Sequence, residues 1–391
     1  MTNAYDKIQR DLKNKPETWL VTGAAGFIGS HIVEKLLHLD QRVIGIDNFL
    51  SNKDSNLPLV QSNLSADRWE NFDFFDADVS NLELCQEIFS LYPDIKYVIH
   101  EAALCSVPQS IAHADMCHKH NATGFLNLMI SSLENKVSRV VYASSSAVYG
   151  DSVELPCIEN RTGRLLSPYA LTKYVDELYA QLYTRQYGLS TVGLRYFNVF
   201  GPRQDPQGAY AAVIPQWISA LLQQESVTLY GDGSQTRDFC YVDNVVQANL
   251  LSAVNPLSSE SPIVYNVGSG SSTKIIDLLD HIQSLFQNEY PEHSVDVIRL
   301  KNRGGEVKDS RADISLIEKH LGYQPSLDFQ TQLENTYQWY LTNLLPNLSS
   351  PKTTVIKIGE HIQSCDTLKP VTKNNRNDVS YPKTNSRTNH L

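Results

Sequence analysis

The chain has 391 residues, a formal net charge of −10 at pH 7, 41% hydrophobic residues and 19% charged residues. This length and composition are typical of a folded enzyme with about two domains, or with one large domain and an additional lobe. The acidic balance argues against a nucleic-acid-binding protein, and no run of about 18 apolar residues could cross a membrane.

Short apolar strands alternate with helical patterns through the first half of the chain. The strands are TWLVTG, RVIGIDN, NFDFFDADV, KYVIHEAA, RVVYASSSAVYG and STVGLRYFNVFG, and the helical patterns include SHIVEKLLHL and NLELCQEIFSLY. Strands that alternate with helices indicate a parallel sheet with right-handed crossovers. We therefore predict an α/β domain, with a doubly wound parallel sheet, over residues 17–200.

The regular alternation weakens after residue 200. The segments AAVIPQWISALLQQ and IIDLLDHIQSLF indicate helices, and loops with Gly and Arg lie between them. We expect residues 201–345 to form mainly a smaller lobe, with some segments returning to the first domain. Residues 346–391 are rich in Asn, Thr, Ser and Lys, and this composition predicts a disordered tail.

A glycine-rich turn joins the first strand to its helix. The stretch TGAAGFIGSH places Gly23, Gly26 and Gly29 three residues apart, with Phe27 and Ile28 between the last two. In this context the first glycine permits a tight turn, the second lets the backbone approach a pyrophosphate, and the third lets helix and strand pack closely. The amides at the helix N-terminus then bind phosphate. The turn predicts a dinucleotide-binding, Rossmann-type domain.

The second strand ends at Asp47, which is followed by Asn48. An acidic residue about 20 residues after the glycines accepts hydrogen bonds from a ribose diol and repels a 2′-phosphate. Residues 48–51 include no Arg that could bind such a phosphate. The sequence therefore favours NAD over NADP as the cofactor.

A tyrosine and a lysine four residues apart occupy the segment SPYALTKYVDELYA. Ser167 can cap a helix there, and residues four apart on a helix share one face, so Tyr169 and Lys173 are expected to be neighbours. A nearby cation lowers the pKa of a phenol from about 10 towards neutral, which would make Tyr169 a base. Ser145 lies 24 residues earlier, at the end of the fifth strand.

Together, and in this order, the glycine turn, the acidic residue, the serine and Tyr-x-x-x-Lys resemble the extended short-chain dehydrogenases/reductases. The resemblance covers residues 17–345 and is to the NAD-dependent nucleotide-sugar epimerases and dehydratases. It implies that Lys173 binds the nicotinamide ribose, that Tyr169 takes a proton from a sugar hydroxyl, and that Ser145 hydrogen-bonds the same oxygen. Counting back from Tyr149 selects Ser145, whereas counting forward from the start of the serine run would allow Ser146.

The resemblance also implies a wider set of cofactor and substrate contacts. The cofactor-binding residues would be Gly23, Gly26, Phe27, Ile28, Gly29, Asp47, Asn48, Asp78, Val79, Ala102, Ala103 and Lys173. The substrate-binding residues would be Ser106, Ser145, Ser146, Asn198, Arg237, Arg303, Glu306 and Ser310. Two guanidinium groups suit a diphosphate, because each can bond it bidentately. The resemblance therefore implies a UDP-sugar substrate.

The reaction implied by the resemblance is 4-epimerisation. Dehydratases of this family place an Asp-Glu pair after the strand end, and decarboxylases usually place a Glu there. This chain has Ser146 and Ala147, which cannot act as general acid or base. The remaining reaction is oxidation to a 4-keto sugar followed by re-reduction, which is epimerisation. The alternatives are a UDP-uronate decarboxylase or a dehydratase, and a non-catalytic NAD-binding regulator.

The sugar is expected to carry an N-acetyl group, as in UDP-GlcNAc and UDP-GalNAc or their uronic acids. Several stretches resemble bacterial UDP-N-acetylglucosamine 4-epimerases, in which a small residue at the position of Ser310 admits the acetyl group. The chain departs from that group at Cys105, where Gly is usual, and at Gln109, where Arg is usual. UDP-glucose or UDP-galactose is the alternative substrate.

The cysteines and histidines predict no metal site. Six cysteines are present without a CxxC pair, which indicates reduced thiols in the cytoplasm. In the stretch HADMCHKH, the side chains of His113, Cys117, His118 and His120 would point around a helix and not converge. We expect a cytoplasmic homodimer with no membrane or nucleic-acid partner, and the polar N-terminus has no apolar stretch of signal-peptide length.

Overall fold

The computed structural model of the protein describes residues 3–50, 55–207, 212–257, 264–301 and 307–348. Its strands are β1 Thr18–Thr22, β2 Arg42–Asp47, β3 Phe72–Asp76, β4 Ile95–His100, β5 Arg139–Ser145, β6 Thr191–Tyr196, β7 Val199–Phe200, β8 Val227–Tyr230, β9 Thr236–Arg237, β10 Cys240–Tyr241, β11 Val264–Val267, β12 Thr273–Lys274 and β13 Val297–Leu300. All six strands expected from the sequence are therefore present.

The helices alternate with these strands as the sequence predicts. They are α1 Ala4–Asn14, α2 Phe27–His38, α3 Leu57–Ser62, α4 Ala66–Trp69, α5 Leu82–Leu91, α6 Val107–Ala112, α7 Ala114–His118, α8 Gly124–Glu134, α9 Pro168–Tyr187, α10 Val213–Leu222, α11 Val242–Val254, α12 Ile275–Glu289, α13 Ser315–Leu321 and α14 Phe329–Leu348. A π-helical turn, Lys119–Thr123, precedes α8, and a 3-10 turn, Ser146–Tyr149, follows β5.

Seven parallel strands form the central sheet in the order β11-β6-β5-β4-β1-β2-β3. The chain runs outward from β1 through β2 to β3, then returns to place β4 on the other side of β1. The direction of winding therefore reverses between β1 and β4, and ligands of doubly wound sheets bind outside the carboxyl ends of the strands at this point. The predicted α/β, Rossmann-type fold is confirmed.

Each face of the sheet carries its own hydrophobic core. One face packs against α2 and α11 through residues such as Ile32 and Leu250, and the other packs against α5 and α8 through residues such as Phe89 and Phe125. Strands that are covered on both faces have continuous apolar sequences, and β1, which is buried along its whole length, is an example. Among the described helices, none has the length and apolar character needed to span a membrane.

Residues after β7 build a third core beside the sheet. Helices α10, α12 and α14 pack around β8, with Trp217, Leu278 and Tyr337 buried between them. In this half of the chain, however, β11 and α11 belong to the central sheet and its covering layer. Three two-stranded pairs, β7-β10, β9-β12 and β8-β13, are separate from the central sheet.

The first helix, α1, is an element that the sequence pattern did not indicate. Its N-cap is Asn3, whose side chain accepts a hydrogen bond from the Asp6 N–H at 2.7 Å. Ile8 and Leu12 are buried in the α2-α11 core, and the Leu12 carbonyl accepts from the Gln41 side-chain amide at 3.0 Å. Only two residues of the helix are buried, so its apolar stripe is too narrow to stand out in a polar segment.

Candidate active site

The glycine-rich turn lies at the point where the sheet reverses its winding. Gly23 has φ +67°, and a Cβ on it would lie 2.8 Å from the backbone nitrogen of Ala102, at the end of β4. A Cβ on Gly29 would lie 2.0 Å from the Gly23 carbonyl oxygen. Gly26 is the N-cap of α2 and adds no side chain over the first amides of the helix. The turn therefore fits a pyrophosphate on backbone N–H groups.

Asp47 is fixed against this turn by backbone hydrogen bonds. Its carboxylate accepts from the Ala25 N–H at 3.1 Å and from the Phe49 N–H at 2.9 Å. Burial raises the pKa of Asp47, although these backbone hydrogen bonds act in the opposite direction. The next side chain, Asn48, accepts from the Leu50 N–H at 3.0 Å. The acidic group therefore lies beside the glycine turn, as a ribose-binding role requires.

The remaining predicted cofactor residues follow β3 and β4. Asp78 accepts from the Ser80 N–H at 2.8 Å and pairs with His120 at 3.3 Å. Burial would raise the pKa of Asp78, but the Ser80 hydrogen bonds and the His120 charge outweigh it and lower this pKa. The Val79 carbonyl accepts from Asn127 at 3.0 Å. The Ala102 N–H donates to the Thr22 hydroxyl at 3.2 Å, and Ala103 follows in the same loop.

The helix α9 carries Tyr169 and Lys173, and its N-terminus has the predicted cap. Ser167 accepts a hydrogen bond from the Ala170 N–H at 3.1 Å, and Pro168 occupies the first turn. The Tyr169 N–H donates to the Ser110 hydroxyl of α6 at 3.1 Å. The start of the helix is therefore held both by its own cap and by a neighbouring element.

The three consecutive serines after β5 have different surroundings. The Ser144 hydroxyl is buried and donates to Glu177 at 2.5 Å, so it is engaged away from the site. The Ser145 hydroxyl accepts from the Ala147 N–H at 3.1 Å and favours a lower pKa of the nearby Tyr169 phenol. Ser146 begins the 3-10 turn. Of the serines that the sequence left open, Ser145 is the one that influences the pKa of the Tyr169 phenol.

The pKa of Tyr169 is shifted in the direction opposite to the sequence expectation. Burial raises it, electrostatic repulsion from the ionisable groups of Cys105 and Asp176 adds to the increase, and the nearby Ser145 hydroxyl acts the other way. The Lys173 ammonium is fully buried, and it lies 3.5 Å from the Asp176 carboxylate. The sequence spacing accounts for the lysine but not for this counter-charge.

A buried asparagine that the sequence did not single out connects the helix to the cofactor loop. Asn121, on the π-helical turn, donates to the Thr172 hydroxyl at 3.0 Å and to the Leu104 carbonyl at 3.2 Å. It also accepts from the Leu104 N–H at 2.7 Å. The sequence gives one signal for the role of Asn121, its position inside a helical pattern. Asn is unfavourable there because its side chain competes for backbone hydrogen bonds.

The predicted substrate residues after β6 lie around a second buried carboxylate. Asp238 accepts from the Ser269 hydroxyl and N–H, the Gly270 N–H and the Ala312 N–H at 2.7–3.1 Å. The Asn198 side-chain amide donates to the Asp238 carbonyl at 3.0 Å. Asp238, which the sequence pattern did not indicate, therefore joins three separate loops of this region.

Arg237 and Ser310 share one hydrogen-bond acceptor. The Arg237 guanidinium donates to the Thr236 carbonyl at 2.8 Å, and the Ser310 N–H donates to the same oxygen at 3.2 Å. The Thr236 hydroxyl in turn donates to Asp309 at 2.8 Å. The structure therefore brings these two predicted substrate residues together, 73 positions apart in the sequence.

The other predicted substrate residues have separate locations. Ser106 caps α6 and accepts from the Gln109 N–H at 3.2 Å, in the loop that follows the cofactor residues of β4. Arg303 and Glu306 lie outside the described residues. The predicted tail, residues 346–391, lies outside them too, apart from the end of α14.

The histidines and cysteines of the HADMCHKH stretch do not converge. Cys117 contacts Thr172 and Asn121, whereas His120 pairs with Asp78. Within the described ranges, no three His, Cys, Asp or Glu side chains are grouped as a metal site would require. The five described cysteines are free thiols.

Comparison with known proteins connects this geometry to one family. The model of the NAD dependent epimerase/dehydratase family matches residues 19–268. A UDP-N-acetylglucosamine 4-epimerase from Methanobrevibacter ruminantium, solved with UDP-N-acetylmuramic acid, is 40% identical with a TM-score of 0.75, over 84% of this chain and 99% of that one.

Two further solved structures are also similar. A UDP-glucose 4-epimerase from Thermotoga maritima, solved with UDP-glucose, is 34% identical with a TM-score of 0.74 over 84% of this chain and 99% of that one. A UDP-glucuronic acid 4-epimerase from Bacillus cereus, solved with UDP-glucuronic acid and NAD, is 29% identical with a TM-score of 0.72. The match covers 83% of this chain and 99% of that one. NAD is thereby confirmed as the cofactor, and the chain belongs to the NAD dependent epimerase/dehydratase family.

Proposed function

We propose that the protein is an NAD-dependent 4-epimerase of a UDP-hexose, which acts through a transient 4-keto sugar. The observation that carries the proposal is the placement of Tyr169 and buried Lys173 on α9, which packs against the end of β5 that carries Ser145, at the carboxyl ends of the strands. A phenol, a hydroxyl and an ammonium there can accept a proton from a sugar hydroxyl, hold its oxygen and return the proton.

Bound NAD+ would supply the redox chemistry, as the acceptor and then the donor of a hydride at C4 of the sugar. The chain supplies the proton transfer and the orientation. Tyr169 removes the 4-hydroxyl proton, Ser145 hydrogen-bonds the same oxygen, and Lys173 holds the nicotinamide ribose. The positive charge of Lys173 and of the bound nicotinamide favours the phenolate, in opposition to the effect of burial.

Epimerisation is favoured over elimination and decarboxylation because the strand end lacks a second acid. The residues after Ser145 are Ser146 and Ala147, and neither can protonate a leaving group. A dehydratase or a decarboxylase would release water or carbon dioxide and yield a product that chromatography resolves from an epimer. A regulator without catalytic activity would bind NAD without any turnover.

The test of the proposal is the variant Tyr169→Phe. We expect it to fold and to bind NAD as the parent does but to lose about 10²–10⁴-fold in kcat, because only the proton acceptor is removed. NAD binding by fluorescence and epimerisation by chromatography are measured on the same preparation. The matched control is Tyr187→Phe, an exposed tyrosine at the far end of α9. A Tyr169→Phe variant that keeps most of its activity would show that another group is the base.

The substrate that we propose carries an N-acetyl group at C2. Its support is the small side chain of Ser310, held next to Arg237 through Thr236. The two guanidinium groups proposed to bind the diphosphate are Arg237 and Arg303, and Glu306 would accept from the uridine ribose. The uronic acid forms, UDP-glucose and UDP-galactose are the competing substrates to include in the assay.

We further propose a homodimer in the cytoplasm. The dimer is supported by an exposed stripe on α9, in which Leu171, Leu178 and Leu182 follow one another at helical spacing. Such a stripe is typical of helices that pack against a partner helix. The location is supported by the free thiols, which are stable in a reducing compartment.

A further inference from the structure

We infer that Glu177 is a positioning residue which, together with Arg195, fixes the segment that carries Ser145 against the helix that carries Tyr169. The inference rests on the proposed function, in which Ser145 hydrogen-bonds the reacting sugar oxygen. It adds two residues that neither the glycine turn nor the Tyr-x-x-x-Lys pattern includes. Both side chains act through residues 144–149 and not on the substrate.

Glu177 and Arg195 form a buried ion pair with two parallel hydrogen bonds. The Arg195 Nε donates to Glu177 Oε1 at 2.8 Å, and its Nη2 donates to Oε2 at 2.7 Å. This bidentate contact fixes the orientation of the carboxylate as well as its distance. Glu177 lies on α9, four residues after Lys173 and eight after Tyr169, so the three share one stripe of the helix. Because Arg195 belongs to β6, the pair holds that stripe at a fixed place on the sheet.

Ser144 connects the ion pair to the beginning of the segment. Its buried hydroxyl donates at 2.5 Å to Glu177 Oε1, the same oxygen that accepts from the Arg195 Nε. Successive side chains of a strand point to opposite faces of the sheet. Fixing Ser144 against Glu177 therefore also sets the direction of the Ser145 side chain.

Tyr149 connects the ion pair to the end of the segment. The Arg195 guanidinium lies 4.9 Å from the centre of the Tyr149 ring, a distance at which a cation is attracted to an aromatic face. The Tyr149 hydroxyl donates to the Asn266 side chain of β11 at 2.6 Å, and both residues are buried. Residues 144–149 are thus fixed at both ends, and α9 packs against β5 and the 3-10 turn that they form.

The arrangement links the position of Ser145 to that of the catalytic helix. A misplacement of about 1 Å in a reacting site can cost about 100-fold in rate. Loss of the Ser144 hydroxyl would release one end of the segment and leave the Glu177–Arg195 pair intact. The glycine turn and Asp47 have their own backbone contacts, so NAD binding should not depend on this hydroxyl.

The test is the variant Ser144→Ala, assayed with the UDP-sugar that the parent converts fastest. We expect a loss of about tenfold in kcat, with KM and NAD affinity close to the parental values. The matched control is Thr191→Val, at the start of β6. It removes a buried hydroxyl that is hydrogen-bonded at 2.8 Å to Thr184 of α9, and so weakens the contact of the same helix with the same sheet away from Ser145. The control should keep the parental kcat.

A double-mutant cycle with Ser145→Ala separates positioning from a purely structural effect. Ser144→Ala is introduced into the parent and into the Ser145→Ala variant, and kcat is measured for all four proteins. If Glu177 acts through Ser145, the loss caused by Ser144→Ala should disappear in the Ser145→Ala background. A general weakening of the fold would lower kcat by the same factor in both backgrounds.

Three outcomes would overturn the inference alone, while Ser145→Ala still reduces kcat. They are a parental kcat in Ser144→Ala, an equal loss in both backgrounds, and a Ser144→Ala protein whose circular dichroism shows that it has not folded. A Ser145→Ala variant with the parental kcat, or a parent without turnover, would instead overturn the proposed function and this inference with it.

Discussion

Single residues that we propose to lie around the sugar are held by backbone contacts, which would leave their side chains to decide specificity. Ser310 is a clear instance, because its N–H is bonded to Thr236 while its neighbour Asp309 accepts from the Thr236 hydroxyl. The backbone position of Ser310 is thus fixed from two sides. A larger side chain at this position would have to project without a compensating shift of the backbone.

The variant Ser310→Tyr should discriminate between sugars. Overpacking an acetyl group against a ring costs about 1–3 kcal/mol, so N-acetylated substrates should lose roughly ten- to a hundredfold in kcat/KM. UDP-glucose carries only a hydroxyl at C2 and should be largely spared. The measurement is the ratio of kcat/KM for UDP-GlcNAc and UDP-glucose in both proteins. Equal losses for the two sugars would remove Ser310 from the acetyl pocket.

At the scale of elements, the turn between β1 and α2 depends on the absence of side chains. Gly29 packs against the Gly23 carbonyl so closely that the first turn of α2 lies directly over the end of β1. The contact is between backbone atoms, which cannot rotate away as a flexible side chain can. The same approach leaves the α2 amides free of side chains, where we propose that the pyrophosphate binds.

Gly29→Ala should weaken NAD binding by more than about tenfold, because the added Cβ would force α2 away from β1 and misplace its amides. Isothermal titration with NAD measures the change. The control is Gly188→Ala, at the C-cap of α9, where φ is +72° and no atom lies within 4 Å of the added Cβ. That substitution should cost about 1–2 kcal/mol of stability and leave NAD affinity unchanged. Equal NAD affinity in both variants would contradict the role of the turn.

At the scale of the whole molecule, α9 contributes to both the active site and the surface. Its inner face carries Lys173, Asp176 and Glu177 into the interior, while its outer face exposes Leu171 and Leu178. The sequence shows these leucines at regular helical spacing, but the spacing cannot tell an inward stripe from an outward one. A second copy of the chain is the partner that we propose for the outward stripe.

Leu178→Glu should convert the proposed dimer into a monomer, because a charge would be buried at the centre of the helix contact. Sedimentation velocity measures the change in mass. Leu327→Glu is the control, since Leu327 is similarly exposed but precedes α14 and does not belong to the stripe. A parent protein that sediments as a monomer would contradict the proposed interface.

The sequence by itself determined the alternation of strands and helices, the position of the glycine turn and the placement of Tyr169 and Lys173 on one helix. These features depend on local spacing, which 3.6-residue and two-residue periods report directly. The NAD cofactor followed from the same local signals, since the glycines and Asp47 are separated by one helix and one strand.

Only the tertiary structure decided which groups surround these residues. The hydrogen bond of Ser144 to Glu177 distinguishes this serine from Ser145. Asp238 is hydrogen-bonded to loops that lie 31 and 74 residues further along the chain. The Asp176 carboxylate is the counter-charge of Lys173, and burial raises its pKa. Sequence spacing cannot show this burial. Long-range packing sets the solvent access and the partners of a charge, and these determine how a side chain ionises.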